Sequence, residues 1–135
     1  MKRASIAFVA IALFGCGKQK EADCRTLVQA VGPAHASVIE AFRRGDQEPA
    51  ELETQANGWE QSAKSLRALA VKDDDVKALA SDYADVLDKA AKLRRDMASS
   101  ASALDPTAAA KAQAGAAEFI IDETKLKVRV DATCR

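Results

Sequence analysis

Four side chains in this 135-residue sequence have the types and the spacing to do chemistry together: His35, Trp59, Tyr83 and Glu123. The chain holds a single histidine, a single tryptophan and a single tyrosine, and these are three of the four. An imidazole and a carboxylate brought together away from water shift each other's protonation, which is the basis of a proton-responsive site or a small polar ligand pocket. The same groups also make a structural polar layer. A buried indole N–H, phenol, imidazole and carboxylate each require a partner, and here they can supply one another. Such a layer can fix helix register at some cost in stability. Both readings remain open in the sequence, and both require the four residues to meet.

Other chemistry is poorly represented. One histidine cannot build a usual zinc site, and the paired Glu-x-x-His motifs of di-iron bundles are absent, so no metal is expected. His35 and Met97 are the only pair resembling axial haem ligands. They are expected roughly 20 Å apart along parallel helices, and no Cys-x-x-Cys-His attachment motif is present. No Gly-rich phosphate loop, serine elbow or cysteine–histidine nucleophile pair occurs. No catalytic residue and no cofactor is assigned, and the chain is read as a non-enzyme. Asp73, Asp74 and Asp75 read as the acidic start of a helix, and Arg43-Arg44 and Arg94-Arg95 as solvated charge.

The elements that must position the four residues follow from apolar spacing. Alanine is abundant, aromatics are 4%, and glycine and proline are scarce, a composition that favours helix. Apolar residues three and four apart mark four seams. The first is Cys24, Val28, Val31, His35, Val38, Phe42, and the second is Leu52, Ala56, Trp59, Ala63, Leu66, Ala70. The third is Val76, Leu79, Tyr83, Val86, Ala90, Leu93, Met97, and the fourth is Ala112, Ala116, Phe119, Glu123, Leu126, Val130, Cys134. Gly45-Asp46 is expected to end helix one and cap helix two, with Pro49 in its first turn. Leu104-Asp105-Pro106 reads as staple residue, N-cap and N1 proline of helix four. Gly32-Pro33 inside helix one predicts a kink or a break. Lys125 to Val130 alternates like a strand, but a lone strand has no partner, so helix is expected there too.

The first 16 residues carry an address. Met1-Lys2-Arg3 is a short positive region, and the apolar run from Ala4 to Phe14 is shorter than the ~20 residues that span a bilayer. The run ends Leu13-Phe14-Gly15-Cys16. This resembles the lipobox of bacterial lipoproteins, with Phe14 departing from the usual small or aliphatic residue. The resemblance implies a signal peptide over residues 1–15, cleavage before Cys16 and a covalent lipid on Cys16. Buried acyl chains, at about 0.8 kcal/mol per methylene, anchor a protein without a transmembrane helix. Gly17 rather than aspartate after the cysteine implies the outer membrane, facing the periplasm. Residues 16–22 read as a short polar tether and 23–135 as one domain.

With Cys16 taking the lipid, Cys24 and Cys134 remain, and an oxidising compartment favours a disulfide between them. Four antiparallel helices in up-down order return the chain to its starting end, where that bond closes. Measured from it, His35 lies 11 residues after Cys24 and Glu123 lies 11 before Cys134. Trp59 and Tyr83 fall near the same level when counted from the turn between helices two and three. The expected architecture is therefore an all-α, antiparallel up-down four-helix bundle.

Formal net charge is zero over the chain, and −2 once Lys2 and Arg3 are removed. That balance excludes the concentrated basic field of a nucleic-acid binder or a polybasic membrane-surface protein. The expected role is a membrane-tethered envelope protein acting through protein contacts or as a scaffold. The alternative is a helical bundle binding a small ligand at the mid-level layer.

Overall fold

Each of the four apolar seams folds as a helix in the computed structural model, which describes residues 15–44 and 47–135. They are α1 (Gly15–Arg43), α2 (Pro49–Arg67), α3 (Asp74–Ala103) and α4 (Pro106–Thr133), and no strand occurs among the described residues. Residues 1–14, which hold the expected signal segment, positions 45 and 46, and the Cys16 side chain lie outside the described residues. No helix among the described residues is long and apolar enough to cross a membrane.

The tether expected over residues 16–22 is itself helical and forms the first turns of α1. Gly17 is the only poor helix former there, and pairs four apart reinforce the turn: Gln19 donates to Asp23, and Arg25 to Glu21. Pro33 does not break α1, which continues to Arg43. Lys125 to Val130 is helical within α4.

The helix ends correct several expectations. The N-cap of α2 is Glu48, with Pro49 at the first helical position, and Glu48 makes no side-chain cap bond. The seam of α2 stops short, because the helix ends at Arg67 and leaves Ala70 in the exposed connection. Asp73 caps α3 by accepting from the Val76 N–H, and Asp105 caps α4 by accepting from Thr107 and Ala108. Leu104 is not a staple. It takes the left-handed conformation (φ 52°) that ends α3, while the Asp105 N–H bonds back to the Ser100 carbonyl. That geometry turns the Leu104 side chain out to solvent.

The core seam of α1 keeps Cys24, Val31 and Val38 but shifts back by one residue at each position between and after them. Cys24, Leu27, Val31, Ala34, Val38 and Ala41 are buried, while Val28 is exposed. His35 and Phe42 therefore flank the seam, half-buried, and reach toward the neighbouring helices from its edge. Helix α3 is buried on two adjacent strips because it packs against α2 and α4 together. Its alanines at 84, 91 and 98 repeat every seven residues and are all buried.

Cys24 and Cys134 stand at disulfide distance, with Cα atoms 5.2 Å apart, inside the usual range for such a bond. Nearby, Asp23 is buried and accepts from the backbone N–H groups of Lys72 (2.8 Å) and Asp73 (2.7 Å). It thereby docks the α2–α3 connection onto α1. These bonds hold the Asp23 carboxyl below its ordinary range, the Asp73 N–H contributing most.

Candidate functional site

Three of the four expected residues meet. Glu123, on α4, is completely buried, and so is Tyr83 on α3 (0% exposed each). The Tyr83 hydroxyl donates to Glu123 Oε1. His35 Nδ1 lies 2.7 Å from the same oxygen, close enough to donate to it. One carboxylate oxygen thus links α1, α3 and α4. Burial is the main force pushing the Tyr83 phenol far above its ordinary range, and the acceptor Glu123 adds to it. The other carboxylate oxygen, Oε2, is buried without a hydrogen-bond partner among the described residues.

Trp59 does not join this group. Its indole N–H donates instead to the Ser37 hydroxyl at 3.1 Å, and its ring stacks on Phe42 with centroids 5.8 Å apart. Phe42 in turn meets Phe119 at 5.4 Å. The expected single layer is therefore two: a polar junction at His35, Tyr83 and Glu123, and an aromatic cluster built around Phe42. His35 and Phe42 stand seven residues apart on one face of α1, so the two groups lie about 10 Å apart along that helix.

On that aromatic cluster sits a residue the sequence reading placed in solvent. Arg94 is 2% exposed, and its guanidinium carbon lies 3.9 Å from the Phe42 ring centre and 5.6 Å from that of Trp59. A desolvated cation over an aromatic face gains about 2 kcal/mol. Its Nη1 contacts the Met97 sulfur at 3.7 Å, while Nε and Nη2 are buried with no acceptor among the described residues. Burial pushes the Arg94 guanidinium down to about 10, so the group still carries its charge at neutral pH. Its neighbour Arg95 behaves as expected of a surface residue and pairs with Glu60, Glu53 and Asn57 on α2. The signal for Arg94 was available: it stands seven residues after Leu87 and four after Ala90, both buried on α3.

No family model, curated protein or solved structure matches the chain. The site must therefore be interpreted from its own geometry. A cavity of about 460 Å³ lies beside Arg94, lined mainly by Phe42, Leu52, Met97, Ala109 and Ala116. His35, Tyr83 and Glu123 do not line it. Met97 is half-buried in its wall. Among the described residues, no three histidine, cysteine or carboxylate side chains gather closely enough to hold a metal. Asp73 serves as a cap, and Asp75 pairs with Lys20 at 3.2 Å.

Proposed function

We propose that this chain is a lipid-anchored, non-catalytic protein of a bacterial cell envelope, tethered through Cys16 at the periplasmic face of the outer membrane. Its helical domain works through contacts with a protein partner or as a scaffold. The observation that carries the reading is the run Leu13-Phe14-Gly15-Cys16 at the end of a short apolar stretch behind two positive charges.

In this reading the four helices alternate up and down. Pairs of contacts support this for α1 with α4 and for α2 with α3. Cys24 with Cys134 and His35 with Glu123 imply that α1 and α4 are antiparallel. Arg67 with Asp85 and Arg95 with Asn57 imply the same for α2 and α3. Both ends of the domain then lie beside the bilayer, seven residues separating Cys16 from Cys24.

The partner half of the proposal is supported by the outer face of α4. Ile121 and Val128 are 56% and 59% exposed, and with Ala114, Ala117 and Thr124 they continue a three–four spacing that faces solvent. The mid-level junction gives the ligand reading no pocket, since the cavity lies elsewhere and His35, Tyr83 and Glu123 do not line it. Expression of the full chain in a Gram-negative host tests the anchor. The wild type should sediment with membranes and incorporate labelled palmitate, and Cys16→Ala should do neither. Membrane retention of Cys16→Ala refutes the lipid assignment. Photo-crosslinker at position 121 should capture one discrete envelope protein, and capture of none removes the support for a partner.

A further inference from the structure

We infer that the outer face of α4 is where this chain pairs with a second copy of itself, the two α4 helices running antiparallel. The inference rests on the reading of that face as a partner surface, and it names the partner. Ala110, Ala114, Ala117, Ile121, Thr124 and Val128 are all exposed and follow one another at alternating spacings of four and three. That is the spacing by which two helices lie side by side. It runs along the side of α4 opposite the buried seam of Phe119, Glu123, Leu126 and Val130. Ile121 and Val128 are the large apolar side chains that α4 leaves in water, and covering them is favourable.

The charge beside this face identifies the occupant. Along one edge stand Glu118, Asp122, Lys125 and Arg129, all exposed, with both acids in the first half and both bases in the second. A two-fold axis across α4 lays that edge against the same edge of a second copy, read in reverse. Set Ile121 opposite the copy's Thr124 and Ala117 opposite its Val128. Glu118 then falls midway between the copy's Lys125 and Arg129, about 3 Å from each along the helix axis. Asp122 falls equally near the copy's Lys125, and the symmetry makes every pair twice. A parallel pair lacks this match, because it sets Glu118 beside Gln113 and Lys125 beside Ile120. Within one chain the bases are weakly committed. Lys125 reaches Asp122 at 3.7 Å and Arg129 reaches Asp82 at 3.4 Å, both as exposed pairs of a kind that contributes little. The face from Ala110 to Val128 is ~27 Å long and one helix wide, less than the ~800 Å² per partner of a standard interface, so the pair is weak and reversible. On one leaflet such a pair carries the lipids proposed at Cys16 at its opposite ends and lies along the bilayer.

The full chain in neutral detergent micelles is followed by sedimentation equilibrium at rising protein concentration, and it should pass from monomer to dimer. Glu118→Lys and Lys125→Glu, both at exposed positions, should each weaken that association about tenfold, since each sets like charges face to face twice. Mixed in equal amounts, the two variants should associate as well as the wild type, because their reversed charges then oppose each other. A photo-crosslinker at position 117 should join the segment that holds Val128 of the second copy. A wild type that stays monomeric, single variants that associate as well as the wild type, a mixture no better than either variant alone, or a crosslink from 117 to 117 would each overturn the proposal. In cells, a photo-crosslinker at position 121 separates this inference from the reading on which it rests. A product of doubled mass supports the second copy. A discrete envelope protein of another mass, with no doubled product, overturns the pair and leaves the partner reading standing. Lipid adducts alone, or no product, remove both.

Discussion

A double-mutant cycle on Tyr83 and Glu123 tests the energetics of the buried junction most sharply. Tyr83→Phe removes one donor to a buried carboxylate, with no change of ring packing. A hydrogen bond to a charged group contributes about 1.5–3 kcal/mol, so that loss is the expected cost. Glu123→Leu removes the acceptor and leaves the phenol buried and unpaired, at about 1–3 kcal/mol. His35 is half-exposed and exchanges the lost carboxylate for water, while the unpartnered Oε2 disappears with the side chain. In the double variant two apolar side chains face each other and no donor is left orphaned. Its cost should be about that of one single variant, not the sum, which implies a coupling of roughly 1.5–3 kcal/mol. Urea unfolding followed by far-UV CD, with the disulfide intact, measures all four corners. Costs that add to within about 0.5 kcal/mol would show that the phenol and carboxylate do not form the bond on which the junction depends.

Three further outcomes follow from the geometry. Asp23 has a carboxyl lowered by the Asp73 and Lys72 N–H groups, so its contribution is present above an unfolded value near 3.8 and is lost as pH falls through the lower folded value. Asp23→Asn should flatten the acid limb of the urea midpoint below about pH 4, and an unchanged limb would contradict the docking of the α2–α3 connection. Tyr83 is raised, so its contribution holds below the ordinary phenol value of about 10 and is lost above it. As the only tyrosine, it should show no tyrosinate absorbance until the helices melt, and a titration near pH 10 in folded protein would refute its burial. Cys24→Ser with Cys134→Ser opens a closure of 110 residues and should lower stability by up to ~5 kcal/mol, read from urea midpoints. Peptide mapping without reductant should recover the two cysteines in one linked peptide.

The helices were legible because alanine, long unbranched side chains and three–four spacing all favour the same state. The junction was legible because counting residues from a shared end gives height along a helix at 1.5 Å per residue. Azimuth was harder to read. In α1 Leu27 and Val28 flank the strip of Cys24, Val31 and Val38 on opposite sides, and both are apolar, so spacing alone does not decide which faces in. The packing of α1 against three other helices decides it, and that information is not local. Arg94 was misplaced for a different reason. Charge is normally a surface signal, and only the buried neighbours at 87, 90 and 98 outweigh it. Asp23 was missed because a carboxylate that caps a distant backbone segment leaves no periodic trace.

The meeting of Cys24 and Cys134 has a mechanical consequence. Once that bond is closed, a pull applied to the two tails of the chain runs from one sulfur to the other. The 109 residues between them form a slack loop outside the line of force. Only the start of α1 before Cys24 would carry load, and the other rods and the buried junction would feel none through that bond until the covalent clasp itself gave way. Reduction would transfer the whole strain to α1 and α4, peeling them apart from the ends that now touch.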